Sequence, residues 1–293
     1  MSPKEAAMPV NSGSVLQRRR LGTELKRIRK EKDLTLDQVH TQSRITRSRL
    51  SRIENGHAEA SAEDLELLCA IYEIDTSERG QLEQYARDGQ PRTRNWWTRY
   101  SDVLSAGYTE YIAWENEAVR YLEYMPLGVP GLLQTRDYAR AMHTGGYFGF
   151  GEMQVDDLVD VRMQRQRRLD GPEPLAVEAF VNEAALHIQL GGRAVLHGQL
   201  AHLREMMRRP NVTLHIIPNT ASTMVITSNG ITVLEFPDDD PDVTFFDVVG
   251  STLLREDPRD ARRARRIFGR LTDEALTPEG ADALLSSRMK ETK

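Results

Sequence analysis

Two short amphipathic segments separated by only three residues constrain this chain more than any other feature. "LDQVHTQ" follows Thr35, a natural N-cap, and turns Leu36 and Val39 to one side. "SRI" is then too short for anything but a turn, and Thr46 caps a second helix running to Glu54. Asn55-Gly56 supplies a left-handed stop. The apolar faces need bracing, and the flanks provide it. Leu21, Leu25 and Ile28 recur at helical spacing upstream, and Leu65, Leu68 and Ile71 recur downstream in a helix starting at Ser61. Glu63 and Asp64 in the first turn of that last helix suit its dipole. Such an arrangement predicts a helix-turn-helix.

The second short helix, within "TRSRLSRIENG", can be placed on a wheel. At about 100° per residue, Leu50 and Ile53 point one way and Ser48 and Arg52 the other, with Arg47, Arg49 and Ser51 flanking. Arginine presents a fork of donors that matches guanine O6 and N7, and it also holds phosphate. The face alone suits DNA reading and an ordinary solvated surface equally. Charge along the chain adds a second observation. Residues 1–60 carry 13 Lys+Arg against 7 Asp+Glu, whereas the rest carry 26 against 37, so a basic head sits on an acidic body.

Across residues 18–75, "LKRIRKEKDLTLDQV", "ITRSRLSRIENG" and "LELLCAIYEI" resemble the Cro/CI-type (XRE) helix-turn-helix family, most specifically at "LSRIENG". The resemblance implies that Arg47, Ser48 and Arg52 read bases in the major groove, while Thr35, Thr46 and Arg49 hold the DNA backbone. It also implies a structural ion pair between Arg29 and Glu54. The chain departs from the family pattern at Leu36, where a phosphate-holding Gln is common. His40 replaces an alanine and Arg44 a turn glycine. His40 reads as a packed or half-exposed side chain, not a ligand or pH sensor.

Beyond this region, "DTSERGQLEQYARDGQPRTRNWW" reads as a capped helix leading into a polar connection near Pro91. Trp96, Trp97 and Tyr100 then open a second body, with interdomain or dimer packing as their expected role. Helical patterns ("RDYARAMH", "MQVDDLVDVRMQRQRRL", "GRAVLHGQLAHLREMMRR") mix with strand-like runs ("PLAVEAFV", "VTLHIIP", "ITVLEFP", "VTFFDVV"). The last two strands flank "PDDDPD", as in a hairpin. A terminal amphipathic helix carries Ala264, Ile267, Phe268 and Leu271, and its "RRARR" run reads as a wet helix face rather than a second DNA site, offset by Asp257, Asp260, Asp273 and Glu274. The predicted fold class is α+β: an all-α helix-turn-helix domain followed by a larger mixed α+β domain.

Residues 95–280 resemble the sensor-like domain of unknown function found behind such modules in high-GC Gram-positive bacteria, chiefly at "VPGLLQTRDYARAM", with "VRMQRQRRL", "VNEAALHIQLGG" and "FGRLTDEALTPEGADALL" in order. That family comprises toxin–antitoxin-like or WhiJ-like regulators, often encoded beside a small partner protein. This chain has "VTFFDVVGSTLL" where the family's last sheet strands usually carry an aromatic-acid pattern.

Signs of chemistry are few. "GGYFGFG" has its glycines in the wrong order for a dinucleotide fingerprint and reads as a flexible aromatic loop. His187, His197, His202 and His215 form no HExxH, and Cys69, the single cysteine, reads as a small buried apolar residue. "DDDPD" lacks the glycine and closing glutamate of a calcium loop. Glu183 and Asp247 fall at strand ends without an evident reaction. No enzyme, cofactor or metal is expected. No run approaches the length of about 18 apolar residues needed for a membrane span, and "MSPKEAAMPVNSGSV" lacks a signal core, so a cytoplasmic, nucleoid-associated protein is expected. The predicted organisation is a tail (1–17), a helix-turn-helix domain (18–75), a helical linker (76–100) and a sensor or partner-binding domain (101–290). The expected function is a dimeric transcription regulator that binds a double-stranded DNA operator. Its C-terminal domain would respond to a small-molecule effector or partner protein. The alternative is an antitoxin-like protein that mainly binds a small partner and autoregulates its operon.

Overall fold

In the computed structural model, α1 (Ser14–Glu31) begins inside the stretch read as a tail. The structure describes residues 14–90, 95–145, 151–221, 230–238, 240–248 and 251–293; residues 1–13 and most of "GGYFGFG" lie outside them. The chain divides into two compact units, Met1–Trp96 and Trp97–Lys293.

In the first unit α1 is followed by α2 (Leu36–Ser43), α3 (Arg47–Glu54), α4 (Ala62–Ile71) and α5 (Thr76–Gly89). Leu21, Leu25 and Ile28 of α1, Val39 of α2, Leu50 and Ile53 of α3, and Leu65, Leu68, Cys69 and Tyr72 around α4 form one buried cluster. Leu82 of α5 joins it, so the stretch 76–100 is not simply a linker: α5 belongs to the first core. Trp97 and Tyr100, both buried, belong to the second unit. Ile71 packs only at the margin of the cluster, and Tyr72 takes the buried place one residue on. Gly22 lets α1 and α3 approach closely. A Cβ there would lie 2.3 Å from the Ile53 carbonyl oxygen.

The second unit is built on a six-stranded mixed sheet ordered β3-β2-β1-β4-β5-β6. Its strands are β1 (Arg120–Met125), β2 (Ala176–Asn182), β3 (Val212–Ile217), β4 (Ile231–Glu235), β5 (Val243–Val248) and β6 (Ser251–Arg255). β1, β2 and β3 run parallel, and β4, β5 and β6 continue antiparallel from β1, with β4 and β5 forming the expected hairpin. The helices are α6 (Ala106–Glu117), α7 (Arg136–Thr144), α8 (Glu152–Gln166), α9 (Arg193–Met206), α10 (Pro258–Glu274) and α11 (Pro278–Glu291).

Alternation along β1 assigns its two faces. Leu122 and Tyr124 pack with Phe180, Ile231, Val233 and the α10 residues Ala264, Phe268 and Leu271. Tyr121 and Glu123 face the other way, where the Tyr121 hydroxyl lies 2.8 Å from that of Tyr111 in α6. There Arg165 of α8 and Glu115 of α6 form a buried bidentate pair at 2.8 and 2.5 Å, and Arg165 also donates to the Tyr108 hydroxyl at 2.6 Å.

Candidate nucleic-acid interface

Capping chemistry shapes the helix-turn-helix. Thr35 Oγ1 accepts from the Gln38 amide at 3.2 Å while Gln38 Oε1 accepts from the Thr35 amide at 2.7 Å, a reciprocal box that starts α2. Thr46 Oγ1 accepts from the Arg49 amide at 3.3 Å and starts α3. Between them Ser43 Oγ donates to the Val39 carbonyl at 2.7 Å and accepts from the Ile45 amide at 3.1 Å, which latches the turn. Arg44 closes α2 at φ 61°, a left-handed conformation that suits the glycine it replaces. His40 lies on the exposed side of α2, yet its Nδ1 donates to the Ile45 carbonyl at 2.8 Å, bracing the same turn. Gly56, at φ +72°, turns the chain away from α3.

Leu50 and Ile53 are buried, and Arg47, Ser48, Arg49 and Arg52 are exposed. Arg52, Arg49 and Arg18 also line an open groove of about 520 Å³ at the end of α3, together with His57 and Ser61. The exposed arginines are not idle. Arg47 Nε lies 2.9 Å from Asp37 Oδ1 at the start of α2. Arg49 Nη2 donates to Asp64 Oδ2 at 2.5 Å, and Arg52 Nη2 reaches the His57 carbonyl at 3.4 Å. Burial would push the Asp64 carboxyl upward, but hydrogen bonds from Arg49 and Ser61 outweigh it and hold the group below its ordinary range.

Behind this face Arg29 of α1 meets Glu54 with both arms, Nε to Oε1 at 2.6 Å and Nη2 to Oε2 at 2.9 Å. Its third arm donates to the Leu34 carbonyl at 2.6 Å. The fork is largely buried and ties α1, the α1–α2 turn and the end of α3 together. The sequence reading assigned no role to Asp37 or Asp64 as arginine partners. A signal existed for Asp64, since Ser61 followed by Asp64 is a capping box whose carboxylate also faces α3.

The other residues singled out in the sequence are scattered. His197 bonds within the α9–α11 contact, with Nδ1 3.1 Å from the Met289 carbonyl. His215 pairs with Glu178 at 3.1 Å, and Glu183 accepts from the Asn219 amide at 2.8 Å. Among the described residues no cluster of His, Cys, Asp or Glu is grouped to hold a metal, and no helix is long and apolar enough to cross a membrane.

These features define a helix-turn-helix protein, a class whose members bind DNA, regulate transcription and are typically not enzymes. Comparison with known families agrees: a helix-turn-helix domain matches residues 20–82, and a domain of unknown function, DUF5753, matches residues 108–287. The chain belongs to the DUF5753 family, with a helix-turn-helix domain at its N-terminal end, as in XRE-type regulators. Neither curated proteins nor solved structures gave a match.

Proposed function

We propose that this protein is a sequence-specific regulator of transcription that inserts α3 into the major groove of a double-stranded operator. The carrying observation is the sidedness of α3, with Arg47, Ser48 and Arg52 exposed opposite buried Leu50 and Ile53. In this reading those three read base edges, and Thr35, Thr46 and Arg49 hold the sugar-phosphate backbone. The Thr46 hydroxyl, already accepting from the Arg49 amide, turns its hydrogen toward phosphate, whereas the Thr35 hydroxyl, which donates to Gln38 Oε1 at 3.0 Å, exchanges that acceptor for phosphate. Arg47 and Arg49 exchange the carboxylates of Asp37 and Asp64 for DNA, an exchange of one charged partner for another.

A single module of this size makes few base contacts, so the operator is expected to hold two half-sites about 34 Å apart and the protein to bind as a homodimer. The DUF5753 domain then supplies the dimer contact and a response to a small effector or partner protein, by shifting the balance between competent and incompetent arrangements. Selection from a random duplex pool with the full-length protein tests the reading. Arg47→Ala and Arg52→Ala should each cost about 1–3 kcal/mol on the selected site and relax preference at one position. An unchanged preference in the double variant would remove the assignment of α3.

A further inference from the structure

The acidic second unit carries one concentrated patch of opposite sign. Residues 97–293 hold 22 Lys+Arg against 29 Asp+Glu, yet six of those 22 are arginines of α10. Arg265 is engaged inward, 2.6 Å from Asp242 and 3.0 Å from Glu235. The other five, Arg259, Arg262, Arg263, Arg266 and Arg270, are exposed. At about 100° per residue they fall within an arc of about 100°, opposite the side that buries Ala264, Phe268 and Leu271. From first to last they span about 16 Å of helix.

The acids expected to offset this stripe do so only at its ends. Asp257 caps α10, pairs with Arg259 at 2.6 Å and attracts Arg262 through space. Arg262 lines a groove with Asp240 and Asp242, and Asp260 turns toward Arg255 at 3.9 Å. Asp273, exposed, sits one turn beyond Arg270. Arg262, Arg263, Arg266 and Arg270 have neither an ion pair nor a hydrogen bond among the described residues. Elsewhere in the unit, arginines such as Arg120, Arg136, Arg140, Arg204 and Arg209 are each paired with a carboxylate. Four neighbouring, unpaired guanidinium groups repel one another, and a polyanion relieves that repulsion.

We propose that the outward face of α10 is a second, sequence-independent contact to the DNA backbone, made by the DUF5753 domain outside the base-reading site. The inference rests on the DNA-binding reading of α3. Its chemistry favours nucleic acid over an acidic protein. Every cation in the stripe is an arginine, whose fork fits phosphate oxygens. The stripe also lacks the aromatic or aliphatic anchor that protein interfaces place at their centre. One strand of B-DNA presents a phosphate about every 3.4 Å of axis, so about 16 Å of helix can face four or five. DNA held by the first unit is at high local concentration for the second.

The test uses the full chain, a 40-base-pair random-sequence duplex labelled for anisotropy, and potassium chloride from 50 to 200 mM. Reversing Arg262, Arg266 and Arg270 to Glu, and separately neutralising them to Gln, alters exposed side chains only; unchanged circular dichroism and melting verify the fold. The expected result is at least tenfold weaker binding and a salt slope shallower by about 2–3 for both variants, with unchanged preference in random-pool selection. Arg47→Ala/Arg52→Ala should do the converse, erasing preference and keeping most of the slope. Wild-type affinity and slope in the α10 variants would overturn the inference while leaving α3 standing, and would redirect the stripe to an acidic protein. Absence of salt-dependent DNA binding by the wild type would overturn both.

Discussion

Replacing Glu54 with alanine should unfold the DNA-binding unit far more readily than its position at a helix end suggests. Side-chain exposure is 11% for Arg29 and 5% for Glu54, and both carboxylate oxygens receive the guanidinium. Deleting the carboxylate leaves a buried cation held within the fork by the Leu34 carbonyl. Breaking a buried pair from one side costs about 3–5 kcal/mol. The remaining carbonyl bond and the small exposure of Arg29 place this case near the lower end, about 3 kcal/mol. A unit of this size is stable by about 4–12 kcal/mol in all, so the loss is a large share. Glu54→Gln, which keeps the shape and one acceptor, should cost about 1–2 kcal/mol. Because the chain has two units, a single global transition is the wrong readout. Amide exchange of the full-length protein separates them: peptides covering α1 and α3 should lose about 3 kcal/mol of protection while those covering β1 and β2 stay unchanged. Arg29→Met combined with Glu54→Leu should recover most of the loss, since it removes both charges and fills the space. A loss below about 1 kcal/mol for Glu54→Ala, or no recovery in the double variant, would refute the account of the pair as a buried clasp.

The helix-turn-helix was legible in the sequence because each of its boundaries is written locally. Thr35, Thr46 and Ser61 cap the helices with their own side chains, Gly56 ends α3, and helical spacing marks Leu50 and Ile53 as inward. In the second unit α7, α8, α9 and α10 were legible from helical spacing, and β2, β3, β4 and β5 from their mostly apolar runs. The central strand β1 was missed. Its core-facing pattern includes Tyr121 and Glu123, polar groups that are buried because α6 and α8 bring Tyr111 and Arg165 to meet them. Such partners lie 10 and more residues away, beyond any local window. β6 was missed because it is a five-residue edge strand. The packing of α5 was hidden for a similar reason: Leu82 joins the first core only once α1 packs against it. The ion pairs Arg47–Asp37 and Arg49–Asp64 were invisible since a helical wheel shows direction and not the neighbour met there.

Two further substitutions test the backbone and the buried polar layer. Arg44→Gly should stabilise the first unit by about 0.5–1 kcal/mol, because relief of left-handed strain at φ 61° exceeds the added entropy of the unfolded chain; lower protection of α2 and α3 in amide exchange would contradict this. Glu123→Gln should stabilise the second unit, and do so more as pH rises. Burial pushes the Glu123 carboxyl up to about 7, against the opposing pull of the Tyr121 hydroxyl bond and the Arg165 charge. The unfolded chain releases this proton near pH 4.3, so between there and pH 7 the folded state binds the extra proton and stability falls with rising pH. The penalty is small near pH 4, grows by up to about 1.4 kcal/mol per pH unit and levels off above pH 7 at about 3.5–4 kcal/mol. Glutamine keeps an acceptor for Tyr121 and removes the ionisation. Tryptophan fluorescence reports chiefly on the second unit through Trp97 and Trp114. The stability difference between variant and wild type should widen by about 2–3 kcal/mol from pH 5 to pH 8. A difference that stays constant across that range would mean that Glu123 ionises in the fold as it does in water.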